Sequence, residues 1–268
     1  VADGLLRSSV ALLRLARACS RWAQVQVSIP RGAPGREAER LLDELESAGI
    51  ENVFSSPGEI SGGRPGQRRL TVASHPETLA ALRQTRRPGD LLVGLASEDR
   101  DLVALDGAGA EMICRDLPSV LALLTTPSLE GSLSLVLLAY NEAEAISAAV
   151  AEARRFGQLF APGYEVVVVD DGSRDGTGRR LEELAASDLR VVTHEQNQGM
   201  GASLRDGFAA ATGAYLAPFP ADRQVRPTAL LPLLPLVGPK AAAVGYYETP
   251  HEGGLRALLS AGFRFNLE

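Results

Sequence analysis

Lysine is almost absent from this chain: Lys240 is the one lysine among 27 basic residues, and the rest are arginine. Such a bias reflects codon usage and points to no function. Cysteine is scarce too. Cys19 and Cys114 stand far apart with no CxxC and no adjacent histidine, which argues against a disulfide framework or a thiolate zinc site and fits a reducing compartment. No run of about 18 uninterrupted apolar residues occurs, so no membrane span is expected. The best stretch, 229–247, is broken by Pro232, Pro235, Pro239 and Lys240. Excess positive charge is also missing. The net charge of −6 argues against a nucleic-acid partner, which usually shows a basic face. Neither a Met nor a signal peptide opens the sequence, and Glu268 falls inside an amphipathic pattern; both ends are read as cuts in a longer polypeptide.

What is present is the composition of a globular protein, 45% hydrophobic and 22% charged over 268 residues. That length suggests two domains. The turn-rich segment Thr125-Thr126-Pro127-Ser128 divides them into residues 1–127 and 128–268, and the second is the more acidic. In the first, strands are expected at Val25–Ile29, Arg69–Ala73, Asp90–Gly94 and Ala110–Cys114. Helices are expected at Leu5–Cys19, Arg36–Ala48, Pro76–Thr85, Glu98–Asp106 and Pro118–Leu124, with a loop over 55–67. The second alternates more cleanly. Strands Leu133–Leu138, Glu165–Val169, Leu189–Thr193, Ala214–Ala217 and Ala241–Gly245 are followed by helices at Glu142–Phe156, Gly176–Ala186, Gly201–Ala211, Pro227–Leu236 and from Glu252. Alternation of this kind predicts an α/β fold: two Rossmann-like α/β/α domains with parallel sheets, which bind ligands at the carboxyl ends of their strands.

Four motifs fall at those ends. In VVVVDDGS, four valines make a strand buried on both faces, and Asp170 and Asp171 follow at its end. Adjacent acids repel and resist burial, so they are expected to face a cleft, where either can accept hydrogen bonds from a base or a ribose. Gly172 lets the backbone turn sharply. In AYNE, residues 139–142, Asn141 is expected to cap the next helix. In NQGMGA, Asn197 and Gly199 precede a helix N-terminus that favours an anion. In Asp222-Arg223-Gln224, two oxygen donors stand two residues apart, suited to a hard divalent cation. A strand ending in a turn and a solvated loop are the plain alternatives for each taken alone.

Order and spacing together are more specific. Residues 132–268 resemble the family-two glycosyltransferases of the GT-A fold, in the dolichyl- or polyprenyl-phosphate sugar transferase branch. The likeness rests on SLVLLAYNE, VVVVDDGSRDGT, VVTHEQNQGMGASLRDGF and FPADRQVRP. It implies a GT-A domain, with its C-terminal part missing, in which Ala139, Tyr140 and Glu142 line the nucleotide pocket. Asp170, Asp171 and Gly172 hold base and ribose, and Asn197, Gly199 and Arg205 lie toward the phosphates. Asp222 and Gln224 ligate a divalent metal, Mg or Mn, which makes Asp222 the expected catalytic residue. Leu138 replaces the usual Pro before AYNE, and Pro220 replaces the first acid of the DxD-like motif.

The implied function is inverting transfer of a sugar from a GDP- or UDP-linked donor to a polyprenyl (dolichyl-type) phosphate at a membrane surface. The expected location is cytoplasmic, at the cytoplasmic membrane face, with no nucleic-acid partner. Two alternatives are a transferase of the same fold acting on a glycan or other alcohol, and a nucleotide-sugar-binding module without catalysis. The opening VADGLL resembles the start of the haloacid-dehalogenase DxDGTL motif. Val1 stands at the nucleophile position, so a non-catalytic Rossmann-like module of unknown role is expected for 1–127. His194, at a strand end, is expected to be structural.

Overall fold

The computed structural model describes residues 24–28, 53–54, 69–73, 76–85, 91–96, 99–114, 119, 122–123, 126–238 and 242–243. The helices expected at Leu5–Cys19, Arg36–Ala48 and from Glu252, the loop over 55–67, and most of Pro118–Leu124 and Ala241–Gly245 lie outside them. The chain divides into two compact units, Val1–Pro235 and Leu236–Glu268, and both sheets belong to the first.

The first sheet is built from β1 (Gln24–Ser28), β2 (Val53–Phe54), β3 (Arg69–Ala73), β4 (Leu91–Leu95) and β5 (Met112–Cys114). All pairs are parallel, in the order β2-β1-β3-β4-β5. That is one of the two common doubly wound orders. Helices α1 (Pro76–Thr85) and α2 (Asp99–Gly107) cover it. Their apolar stripes meet the sheet in a cluster of Ala73, Leu79, Leu82, Leu92, Ala96, Leu105 and Ile113.

The second sheet contains β6 (Leu133–Ala139), β7 (Tyr164–Asp170), β8 (Leu189–Thr193) and β9 (Tyr215–Pro220), again all parallel. Val166 to Val169 are completely buried, as a β-branched run in a sheet covered on both faces must be. Helices α3 (Ile146–Phe160) and α5 (Met200–Ala210) both pack on β6 and β7; α4 (Thr177–Glu183) is the short crossover between β7 and β8. Contact with α5 is close because position 207 is glycine. A Cβ there would stand 2.5 Å from Val136 Cγ1 and 3.0 Å from Val169 Cγ2. Pro218 and Pro220 are accommodated because β9 pairs on one side with β6 and has no second partner among the described strands.

Strand order is β8-β7-β6-β9. The chain steps outward from β6 through β7 to β8, then returns to the other flank of β6. The order therefore reverses between β6 and β9, and doubly wound sheets hold their ligands in the crevice at such a reversal.

Two helical expectations are corrected. The helix expected from Glu142 starts at Ile146, and the helix expected over Pro227–Leu236 is two 3-10 turns, Pro227–Leu230 and Leu234–Leu236. Pro232 and Pro235 lack the N–H that an α-helix needs. Among the described residues no helix is long and apolar enough to cross a membrane.

Candidate functional site

Register brings the motif-bearing strand ends to one edge. Ala139 is paired with Asp170, and Leu138 with Pro220. The Asp171 N–H then donates to Ala139 O and the Ala221 N–H to Leu138 O, both at 2.9 Å, so three loops leave the sheet side by side. Ala139 is buried, Tyr140 is half exposed at the rim, and Glu142 and Asp222 are partly buried.

The loop after β6 is stitched to the loop after β7. The Asn141 N–H donates to Ser173 Oγ (2.9 Å), Asn141 Oδ1 accepts from the Arg174 N–H (2.9 Å), the Glu142 N–H donates to Thr177 Oγ1 (2.8 Å), and the Ala143 N–H donates to Asp175 Oδ2 (2.9 Å). Asn141 therefore bridges two loops in a left-handed conformation (φ 58°) and does not cap a helix; the residue before α3 is Ala145, which makes no side-chain cap. Ser173, Asp175 and Thr177 join the site although their residue types carry no expected role in the sequence. The Asp-Gly-Thr spacing ahead of α4 was their signal, since Thr177 Oγ1 and N–H both donate to Asp175 Oδ1 at 2.6 and 3.0 Å. The Thr177 hydroxyl and the Ala143 N–H hold the Asp175 carboxyl below its ordinary pKa.

Asp170 and Asp171 are both buried, not open to a cleft as expected. Asp170 Oδ1 accepts the Ser173 N–H at 3.0 Å. Asp171 Oδ1 accepts the Gln198 N–H (2.8 Å) and lies 2.7 Å from His194 Nδ1, while its Oδ2 accepts the Gly199 N–H (2.8 Å). Burial pushes the Asp171 carboxyl up, but the bonds from Gln198, His194 and Gly199 outweigh it and the net shift is down. These bonds serve its own chain: they set the Gln198–Gly199 loop over Gly172. At Gly172 (φ 74°) a Cβ would stand 2.6 Å from the Gln196 carbonyl carbon, so glycine is required for that approach. Asn197 is exposed beside this turn, and Gly199 (φ 87°) leads into α5. Arg205 is exposed on α5, and its guanidinium is paired with Asp206 at 2.9 Å.

Asp222 Oδ1 accepts the Gln224 N–H at 2.9 Å, which fixes the carboxylate in the turn and leaves the Gln224 side chain in the exposed part of the loop. Glu142 approaches from the β6 loop. Burial raises its pKa, and the charges of Asp222 and Asp175 raise it further. Like charges brought together at one rim are what a cation relieves. Among the described residues no three His, Cys, Asp or Glu side chains form a ready cage. The donors that fit are one carboxylate and one amide carbonyl, with a second carboxylate close by. Such a set suits a cation that takes its remaining ligands from phosphates and water.

Comparison with known proteins bears on this arrangement. The model of glycosyl transferase family 2 matches residues 134–261. An undecaprenyl-phosphate 4-deoxy-4-formamido-L-arabinose transferase of Pseudomonas fluorescens is 32% identical over 116 residues, 42% of this chain and 33% of the relative. A dolichyl-phosphate beta-glucosyltransferase of Drosophila melanogaster is 33% identical over 112 residues, 37% and 34% of the two chains. Among solved structures, a mannosyltransferase from Pyrobaculum calidifontis, in complex with GDP-Man and Mn2+, is 28% identical with a TM-score of 0.32, covering 36% of this chain and 29% of its own. The chain thus spans about a third of the length of the curated relatives it matches. β6, the Asp170-Asp171 strand end and the Asp222 loop all lie inside the stretch, residues 134–261, that matches glycosyl transferase family 2.

Proposed function

We propose that this chain carries the donor site of an inverting transferase that moves a sugar from a nucleoside-diphosphate sugar to a polyprenyl-phosphate acceptor. The observation that carries the reading is the register that brings the ends of β6, β7 and β9 to one edge, so that the loops of Glu142, Asp170 and Asp222 leave the sheet together at the reversal between β6 and β9. Tyr140, exposed at the rim, is assigned to the base, and the buried Asp170 and Asp171 are assigned to hold the loops that receive ribose and phosphates. Asp222 and Gln224 would hold a divalent cation, which supplies positive charge to the departing diphosphate.

In the transfer, an acceptor phosphate oxygen bonds to the anomeric carbon as the bond to the donor diphosphate breaks on the opposite side. A phosphate monoester is largely ionised near neutral pH, its second pKa being about 6, so no strong general base is needed. A lipid acceptor places the reaction at a membrane surface, which we assign to the cytoplasmic face. Pro220, where the family motif has an acid, favours one second reading: a module that binds the nucleotide sugar without turnover.

The test is titration with UDP- and GDP-sugars, with and without Mn2+, repeated on Asp222→Ala, and turnover with a polyprenyl phosphate. Metal-dependent binding lost in the variant, together with turnover, supports the transferase. Metal-independent binding untouched by the variant supports the binding module. No binding of either donor overturns both.

A further inference from the structure

Between the two candidate metal donors sits Arg223, and its side chain turns away from them toward the first sheet. Its backbone is left-handed (φ 63°), a conformation a long side chain adopts only when its surroundings hold it there. The hold is visible. Arg223 Nη1 donates to Asp106 Oδ2 at 2.6 Å and Nη2 to Asp106 Oδ1, a two-pronged pair with the C-terminal turn of α2. The same Nη2 donates to Glu152 Oε1 of α3 at 2.8 Å, and Arg226 donates to that oxygen as well. The Arg223 side chain is 12% exposed. Burial works against its charge, and the carboxylates of Asp106 and Glu152 more than restore it. Glu152 belongs to the same half as the loop, so the contribution from the first half is Asp106.

We propose that residues 1–127 act on the donor site through this pair: Asp106 is a positioning residue that fixes the Asp222–Gln224 loop in a metal-binding geometry by clamping Arg223. The idea rests on the assignment of Asp222 and Gln224 as metal donors. It gives the first half a role in the transferase that needs no chemistry of its own. A planar guanidinium held at two points cannot swing, and the peptide units on either side of Arg223, which carry the two donors, are fixed with it. Another tie between the halves, Arg155 Nη2 to Glu111 Oε2 at 3.1 Å, is remote in sequence from the loop and serves as the control.

Asp106→Asn keeps shape and solubility while removing the charge, and Glu111→Gln does the same at the control tie. Two readouts are taken on the whole chain: Mn2+ affinity, followed by the electron paramagnetic resonance signal of the free ion with UDP or GDP present, and hydrogen exchange of the 221–226 segment. In Asp106→Asn the dissociation constant for Mn2+ rises roughly tenfold or more, the size typical of outer-shell supports of a metal site, and the segment exchanges faster; Glu111→Gln changes neither. Asp106→Asn with wild-type affinity and exchange overturns the proposal. So do equal losses in both variants, which would mean general loosening between the halves. If the wild type binds no Mn2+ with either nucleotide, the assignment of Asp222 and Gln224 fails first, and the proposal with it.

Discussion

His194 Nδ1 lies 2.7 Å from Asp171 Oδ1, with both side chains buried at the carboxyl end of the second sheet. The opposite ring nitrogen, Nε2, is 3.2 Å from Asp206 Oδ2, and Asp206 pairs in turn with Arg205. Asp171 is thereby tied to the residue that follows β8 and to the Gly199 turn, and the imidazole stands between it and Asp206 of α5. One carboxylate organises the segment that the sequence marks only as a glycine-rich turn.

Asp171→Asn turns one acceptor into an NH2 group facing N–H donors. The free energy of unfolding is expected to fall by about 2 kcal/mol, the scale of a hydrogen bond to a charged group. The difference should also depend on pH. The Asp171 carboxyl is lowered in the folded state, so its contribution is complete above the unfolded value of about 3.9 and is lost as pH falls through the lower folded value. Denaturant titrations should show a constant gap between the two proteins near neutral pH and a shrinking gap in acid. A gap that widens in acid would refute the assignment.

Gly172→Ala combines a left-handed backbone with a Cβ driven against the Gln196–Asn197 backbone. A loss of about 2 kcal/mol or more is expected. The clash is with main chain, so the Asn197 turn must shift, and affinity for a nucleoside diphosphate should fall beyond what the stability change explains. Calorimetric titration of the folded variant checks it; unaltered affinity counts against a ligand beside this turn.

Gly207→Ala overfills the contact between α5 and the sheet, at an expected cost of about 1–3 kcal/mol. The atoms it meets belong to side chains, so the damage is repairable. Val136→Ala removes the Cγ1 that the new methyl strikes. In a double-mutant cycle the pair should be less destabilised than the sum of the single variants, and strict additivity would mean that α5 relieves the clash by moving.

Local pattern made much of the architecture legible. β3, α1 and β8 occupy the spans read from period and turn signals, because each is a short apolar or amphipathic run with clear punctuation. α3 begins four residues late for a reason no local pattern carries: the Glu142 and Ala143 N–H groups are taken by Thr177 and Asp175, more than 30 residues away. The Pro227–Leu236 segment shows the reverse error. Its apolar spacing is helical, but Pro232 and Pro235 cannot supply the N–H groups of an α-helix, and only short 3-10 turns form.

The sequence alone determined the parallel α/β layers, the strand ends that bear acids and glycines, and the residue types available there, since all of these follow from side-chain period and backbone preference along the chain. Tertiary structure decided what each polar group does. Asp171 and Asn141 become loop anchors, Glu142 comes under the charge of Asp222, and Arg223 is clamped by Asp106 from the other half. Those roles depend on which donors and charges lie within a few ångströms, and that is set by strand order and by the return of the chain to the far flank of β6.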